Sequence, residues 1–536
     1  MNLKQEVQAW IADDPDPKTA AQLQQWLDSN NEVELRASFS GFLQFGTAGL
    51  RGPIRPGPSG MNRAVVGRTA AGIAAYMKER NLTSVVIGRD ARYGSEDFTF
   101  ETAQIMSGAG MKVYVLPRPL PTPVLAFATN ELKCDVGIMV TASHNPPQDN
   151  GYKVYLGGTV DGIHYRGSQI VSPTDESIAQ KIDSITSLAS QPRGKEWTVL
   201  GEEVVDKYVG ITAALAHKPG NLKIVYTAMH GVGTETLQQV FHKAGFPQPI
   251  LVESQAKPDP DFPTVAFPNP EEPGAIDLAL ETARTFDADL VIANDPDADR
   301  CAAAVKDPVK GWRMLRGDEL GVILGETIAR ATTQGILANS IVSSSILSKI
   351  AAHYKLDFQE TLTGFKWLAK IDGLTFGYEE ALGYAVDAVT VNDKDGISAA
   401  IKLAQIATDL AAQNKTLLDL LDEVWVRHGF HATEQISIRL SDLSQVGVIM
   451  GNLRSNSPKE IAGRSVTSID DLAKPKDGLP PTDGLRIWLD GGIRIIIRPS
   501  GTEAKMKCYI EAIAKDSATA QAVLDQLRAP LKELLS

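Results

Sequence analysis

The chain has 536 residues, 43% of them apolar, with a formal net charge of −12 and three cysteines. Such a length is expected to hold about three or four domains, and no segment approaches the run of roughly 20 apolar residues that crosses a bilayer as a helix. The acidity argues against nucleic acid and anionic membranes as partners, and Cys134, Cys301 and Cys508 are too scattered for a disulfide framework or a zinc site.

Up to residue 40 the pattern reads as two short helices separated by residues 13–17. Trp10 and Trp26 stand among polar helix formers, without the apolar core of a secretory leader. With unpaired cysteines, this predicts a reduced, cytoplasmic protein. A loose threefold repeat follows, in which strand, helix, strand, helix and strand lead into a polar loop. Its strands are expected at 84–87, 111–116 and 135–140, then at 222–226, 249–252 and 288–293, then at 340–344, 356–360 and 374–378. Three βαβ-type units of this kind suit mixed sheets flanked by helices, and insertions such as 157–172 break any fixed period. From about residue 424 the pattern alternates in strand fashion at 434–440, 485–489 and 492–498 and closes with a helix at 517–535. The predicted fold is α/β, with three similar βαβ-type mixed-sheet domains plus a smaller C-terminal α+β domain. Joins near 201–208, 307–311 and 416–424 divide it into 1–200, 201–311, 312–421 and 422–536.

Each loop carries its own chemistry. The first reads Thr141-Ala142-Ser143-His144-Asn145-Pro146 after an apolar strand. A tight turn there, with Pro146 and Pro147 blocking a helix, presents Ser143 beside His144 as a nucleophile or phosphate carrier. The second is Asn294-Asp295-Pro296-Asp297-Ala298-Asp299-Arg300. Three carboxylates at alternate positions suit one hard divalent cation. An EF-hand is excluded by Arg300 at the turn-glycine position and Lys306 at the bidentate-glutamate position. Three carboxylates leave room for a phosphate oxygen, which points to Mg²⁺. The third domain offers Gly377-Tyr378-Glu379-Glu380-Ala381-Leu382-Gly383, whose paired acids suit sugar hydroxyls. The fourth offers Arg498-Pro499-Ser500-Gly501-Thr502-Glu503, continuing to Lys505 and Lys507, a forked donor and a turn fit to wrap a phosphate. A competing partial dinucleotide fingerprint, Gly231-Val232-Gly233, has Thr236 at its third glycine position and reads better as close strand–helix packing.

Taken together, the four loops resemble the α-D-phosphohexomutase superfamily, the phosphoglucomutase and phosphomannomutase enzymes, in family order and over residues 45–509. Phe45-Gly46-Thr47-Ala48-Gly49-Leu50-Arg51-Gly52, Gln148-Asp149-Asn150-Gly151-Tyr152-Lys153-Val154-Tyr155 and Asp393-Lys394-Asp395-Gly396 resemble its phosphoglucomutase–phosphopentomutase branch. The resemblance implies four loops meeting at a central cleft. It implies phosphorylation of Ser143, with His144 orienting the phosphate, Lys153 as general base and Arg51 and Arg300 facing the transferring group. It also implies Mg²⁺ held by Asp295, Asp297, Asp299 and a phosphoserine oxygen on Ser143. Arg51 and Arg300 are expected to lower the Lys153 pKa toward neutrality. Glu379, Glu380 and Lys366 are expected at the sugar, and Arg498, Ser500, Gly501, Thr502 and Lys507 at the distal phosphate. The implied reaction interconverts glucose 1-phosphate and glucose 6-phosphate, with glucose 1,6-bisphosphate as activator, in a monomer or small homo-oligomer whose partners are small sugar phosphates. Phosphopentomutase or phosphomannomutase activity is the alternative, because Leu382 and Tyr384 depart from the common sugar-loop pattern. A non-catalytic sugar-phosphate binder is disfavoured by the presence of Ser143 and all three aspartates.

Overall fold

Residues 84–89, 112–115 and 136–140 are dominated by valine and isoleucine, the side chains that pack best on a pleated surface. In the computed structural model, which describes residues 2–46, 48–476, 478–499 and 505–535, they form a parallel core. Ser84–Arg89 lies between Lys112–Val115 and Val136–Val140. Asp149–Leu156 and then Leu50–Pro53 extend the sheet antiparallel beyond Val136–Val140. Val136–Val140 is buried at every position, as a strand covered on both faces requires. The second sheet repeats the plan. Ile224–Thr227 pairs in parallel with Ile250–Leu251 and Leu290–Ala293, and Ala302–Asp307 and Gly311–Met314 add antiparallel strands. In the third, Ile336–Ser340 pairs in parallel with Asp357–Thr361 and Leu374–Glu379. The serine, aspartate and glutamate loops thus leave equivalent strands at their C-terminal ends, where open α/β sheets place their ligands.

The fourth sheet is antiparallel, in the order Phe430–Arg439, Lys505–Ala514, Ile493–Pro499, Leu485–Leu489 and Arg464–Asp471. Alternate residues Ile493, Ile495 and Ile497 pack with Leu524, Leu527 and Leu531 of the final helix, Ser517–Leu534. Three α/β domains and a smaller C-terminal domain therefore make up the chain. Among the described residues no helix is long and apolar enough to cross a membrane.

By contact density the chain divides into two compact units. The first is Met1–Leu315 with Ala369–Asp372 and Gly383–Asp409; the second is Arg316–Leu368 with Gly373–Leu382 and Leu410–Ser536.

Some expected elements are displaced. The third repeat's first strand is Ile336–Ser340, not 340–344. Ile341 and Val342 have high strand propensity, but the chain turns at Ser340, whose carbonyl accepts from the Ser343 amide, and both pack with Leu362, Ile496 and Tyr509 instead. Tertiary packing outweighs propensity there. The N-terminal segment has three helices rather than two, Leu3–Asp13, Pro17–Asp28 and Glu32–Ser38, capped by Asn2, Asp16 and Asn31 around a core of Val7, Leu23 and Leu35. It packs on the first domain, where the Asp13 carboxylate accepts from the Leu188 and Ala189 amides. The helix Leu443–Ser455 and the strands Arg464–Asp471 and Lys505–Ala514 were not among the expected elements.

Candidate active site

Ser143 follows its strand by three residues, is 3% exposed, and adopts φ +53°, a left-handed conformation that costs a non-glycine residue roughly 1–2 kcal/mol. The turn compensates locally, because the Ser143 amide donates to Thr141 Oγ1 at 2.9 Å and the Asn145 amide to the Ala142 carbonyl at 3.1 Å. The result directs Ser143 Oγ at Asp295 Oδ2, 2.8 Å away, and places His144 Nδ1 3.2 Å from the same oxygen. Burial, with Arg300 and Arg51 nearby, holds the imidazole well below its ordinary pKa, so His144 is neutral at neutral pH. Arg51 comes from the strand Leu50–Pro53 and donates to Asn145 Oδ1 at 3.1 Å. The preceding Gly49 has φ +75°, and a Cβ there would lie 1.8 Å from the Tyr152 carbonyl, so only glycine lets this strand approach its neighbour.

The aspartate loop brings the carboxylates of Asp295, Asp297 and Asp299 within 4.8 Å of one another, all buried. Its shape is built by neighbours. Asn294 accepts from the Tyr226 hydroxyl (2.8 Å) and donates to the Arg300 carbonyl (2.6 Å), and Thr122 Oγ1 donates to Asp297 Oδ2 (2.5 Å). Gly231 belongs to this support, since a Cβ there would lie 2.2 Å from Pro296 Cα while the Val232 amide bonds the Pro296 carbonyl at 2.9 Å. The glycine pair at 231 and 233 is a packing device.

Lys153 lies between two of the three acids, its Nζ 2.7 Å from Asp297 Oδ2 and 2.8 Å from Asp299 Oδ2. The expected lowering of its pKa is overturned. Burial does lower it, but Asp297 and Asp299 more than offset that and leave it raised. Asp295 has no lysine at this distance among the described residues, and burial with Asp297 and Asp299 beside it outweighs Arg300 and pushes its carboxyl well above the carboxylate range. The Oδ1 atoms of Asp297 and Asp299 are buried without hydrogen-bond partners among the described residues. Orphaned carboxylate oxygens, mutual repulsion and an all-oxygen donor set together fit a divalent cation such as Mg²⁺. Arg300 closes the loop, its amide 3.0 Å from Asp295 Oδ1.

In the second unit, Glu380 Oε2 accepts from Ser340 Oγ (3.1 Å) and Ser343 Oγ (3.2 Å), while the Glu380 amide donates to Ser343 Oγ (3.0 Å). Glu379 accepts from the Gly364 amide at 2.6 Å, which ties its carboxylate to the turn before the helix Phe365–Leu368 that carries Lys366. Burial, with Glu380 close by, drives the pKa of the Tyr509 hydroxyl far up, against the opposing charge of Arg498. Lys507 stands opposite Arg498 in the strand register. Ser500, Gly501 and Thr502 lie outside the described residues.

Three residues that neighbour the expected ones within their own units carry no expectation from sequence, Lys394 and Thr122 in the first unit and Tyr509 in the second. Lys394 Nζ lies 3.4 Å from Asp299 Oδ2 and 3.6 Å from Asp393 Oδ1. Asp393 is itself fixed by the Tyr155 hydroxyl (3.0 Å) and Gln169 Nε2 (2.8 Å). The motif containing Lys394 was legible, but its contact with a residue almost a hundred positions away was not. Thr122 and Tyr509 carried no local signal at all.

The chain matches the phosphoglucomutase/phosphomannomutase family domain by domain: α/β/α domains I, II and III over residues 43–189, 204–311 and 316–428, and the C-terminal domain over 451–529. A probable phosphomannomutase of Haemophilus influenzae is 49% identical over 482 residues, covering 89% of this chain and 98% of that protein. A mouse phosphopentomutase is 34% identical over 572 residues, covering 96% and 90%. A phosphoglucomutase of Staphylococcus haemolyticus is 34% identical over 517 residues, covering 90% and 92%. Among solved structures, the open form of parafusin, a Paramecium phosphoglucomutase, shares the fold with a TM-score of 0.71 at 20% identity, covering 93% of this chain and 95% of that one.

Proposed function

The chain belongs to the phosphoglucomutase/phosphomannomutase family of isomerases, and from that premise we propose that it interconverts glucose 1-phosphate and glucose 6-phosphate through a phosphoserine at Ser143. The observation that carries the reading is the buried contact of Ser143 Oγ with Asp295 at 2.8 Å, in a site that also holds Asp297, Asp299 and Lys153. Few chemistries need a hydroxyl, three converging carboxylates and several cations together. Phosphoryl transfer does, because its catalysis is mostly positional and electrostatic.

In the first transfer the bond from phosphorus to Ser143 Oγ breaks and a bond to the free hydroxyl of the sugar monophosphate forms, giving glucose 1,6-bisphosphate. In the second, the bisphosphate returns its other phosphoryl group to Ser143 and leaves as the isomeric monophosphate. Mg²⁺ held by Asp295, Asp297, Asp299 and a phosphate oxygen on Ser143 would offset the charge of the transferring group. Neutral His144 orients the Ser143 oxygen, and Arg51 and Arg300 face the phosphoryl oxygens. Lys153 takes the proton of the attacking hydroxyl and returns it to the leaving oxygen in the second transfer. Without a divalent cation Asp297 and Asp299 hold it protonated, so it can take that proton only where the cation would engage those carboxylates instead. Arg498 and Lys507, with Ser500, Gly501 and Thr502, are assigned to the phosphate that is not reacting. Lys366, Glu379 and Glu380 are assigned to the sugar hydroxyls. The three unpaired, buried cysteines favour a reducing compartment such as the cytoplasm.

Mannose phosphates are the second reading, favoured by the 49% identity to a probable phosphomannomutase. Glucose and mannose differ only at C2, which a carboxylate reading the hydroxyls at C3 and C4 does not sense. Specificity constants for glucose, mannose, ribose and deoxyribose 1-phosphates, measured with Mg²⁺ and catalytic sugar bisphosphate, decide the matter. Glucose 1-phosphate is expected to rank first with measurable mannose activity. A higher constant for mannose or a pentose reassigns the substrate, and no activity on any of them ends the reading.

A further inference from the structure

One buried arginine outside the four loops grips the turn that carries Ser143. Arg92 lies three residues beyond the strand Ser84–Arg89, and its side chain is 1% exposed. Its Nη1 donates to the carbonyls of Pro146 (2.8 Å) and Asp149 (3.1 Å), and its Nη2 to those of Ser143 (2.7 Å) and Asn145 (2.5 Å). The turn needs such a donor. Residues 146 and 147 are prolines with no N–H, and although the Asp149 amide reaches the Pro146 carbonyl (3.1 Å), the segment has fewer donors than carbonyls to satisfy. A guanidinium is suited to the task because its N–H groups point in a fixed planar fork.

The arginine is held in turn by a buried ion pair and a ring. Asp90 Oδ2 lies 3.4 Å from Nε, and Asp90 Oδ1 is fixed by the Arg92 amide (3.0 Å) and Ser95 Oγ (2.6 Å). The Phe262 ring covers the guanidinium, with its centroid 4.8 Å from Cζ. Next to Phe262, Asp261 accepts from the Tyr93 hydroxyl at 2.9 Å.

We propose that Arg92 is a positioning residue for phosphoryl transfer, locking Ser143 in its left-handed conformation with Oγ aimed at Asp295, and that Phe262 presses the guanidinium onto the turn. This rests on the reading of Ser143 as phosphate carrier. Without the clamp the turn relaxes toward the backbone conformations serine prefers, and Oγ swings off line. Arg92 makes no hydrogen bond to Asp295, Asp297, Asp299 or Ser143 Oγ, so its loss acts on the alignment of transfer and leaves sugar binding alone.

The test pairs kinetics with hydrogen exchange in Arg92→Lys and Phe262→Ala. Lysine keeps the charge but cannot span both carbonyl pairs. A misplacement of this kind costs about 10²-fold in kcat, with KM within about twofold of wild type. Phe262→Ala should show a smaller fall of the same form. In both, amides of residues 141–151 should exchange faster while those of Val136–Val140 stay protected. Wild-type kcat with wild-type exchange in Arg92→Lys overturns the proposal. So does a kcat loss accompanied by faster exchange throughout the sheet, which would make Arg92 a general structural residue. Intact-mass measurement of wild type after incubation with glucose 1,6-bisphosphate separates the two ideas. If Ser143 takes no phosphate the parent reading falls, and exchange across the turn still decides whether Arg92 holds it.

Discussion

Each of the two units buries acidic groups, and each treats them in its own way. In the second, Glu511 is 3% exposed and fully engaged: Arg494 at 2.9 Å, His431 Nδ1 at 2.9 Å, Ser344 Oγ at 2.7 Å and the Ser345 amide at 2.8 Å. Burial would raise its carboxyl, but Arg494 and His431 outweigh that and hold it at about 2. In the first unit three aspartates crowd together with Lys153 shared between two of them, and Asp295 is pushed the opposite way. A charge cluster that serves the fold is balanced by its own chain. One that serves chemistry leaves Asp295 raised and the Oδ1 atoms of Asp297 and Asp299 without partners among the described residues, and those oxygens are what a cation fills.

Removing one carboxylate from each cluster should therefore move stability in opposite directions. Glu511→Gln is the larger effect. A carboxyl held at about 2 rather than its ordinary 4.5 contributes roughly 3 kcal/mol at neutral pH. Because the folded value is depressed, that contribution is complete above pH 4.5 and fades as pH falls toward 2. Denaturant unfolding of wild type and variant should show the gap at pH 7 and its closure across that window; a gap that persists at pH 2 would break the comparison.

Asp295→Asn is the smaller effect and carries the reverse sign. Without divalent cations, relief of repulsion in a buried cluster should stabilise the fold by about 1 kcal/mol. Saturating Mg²⁺ should cancel the advantage, because it binds the native wild type and not the unfolded chain. A variant less stable than wild type in chelator would show that the cluster is already balanced. Activity of the wild type should fall in chelator and return with Mg²⁺.

The contrast also marks what could be read from residues alone. The serine and aspartate loops were legible because each is a short contiguous run behind an apolar strand, with its chemistry in adjacent letters. The partners that give those letters their properties come from elsewhere in the chain. Arg92 reaches the serine turn from the loop after another strand, Lys394 reaches Asp299, and Glu511 is satisfied by Arg494, Ser344 and His431. Lys153 shows the cost of reading charge without geometry. Its arginine neighbours suggested a lowered pKa, while two carboxylates within 2.8 Å settle it the other way. The shifted strand at Ile336–Ser340 is the same lesson for the fold, since β-branched Ile341 and Val342 advertised a strand that packing against Leu362, Ile496 and Tyr509 withdrew.

Ser143 as the phosphate carrier is tested most directly by intact-mass measurement. After incubation with glucose 1,6-bisphosphate and Mg²⁺, wild type should carry one phosphoryl group, which glucose 1-phosphate should discharge as bisphosphate forms. Ser143→Ala, folded by its melting curve, should carry none and turn nothing over. Phosphorylation or wild-type turnover in Ser143→Ala would contradict it.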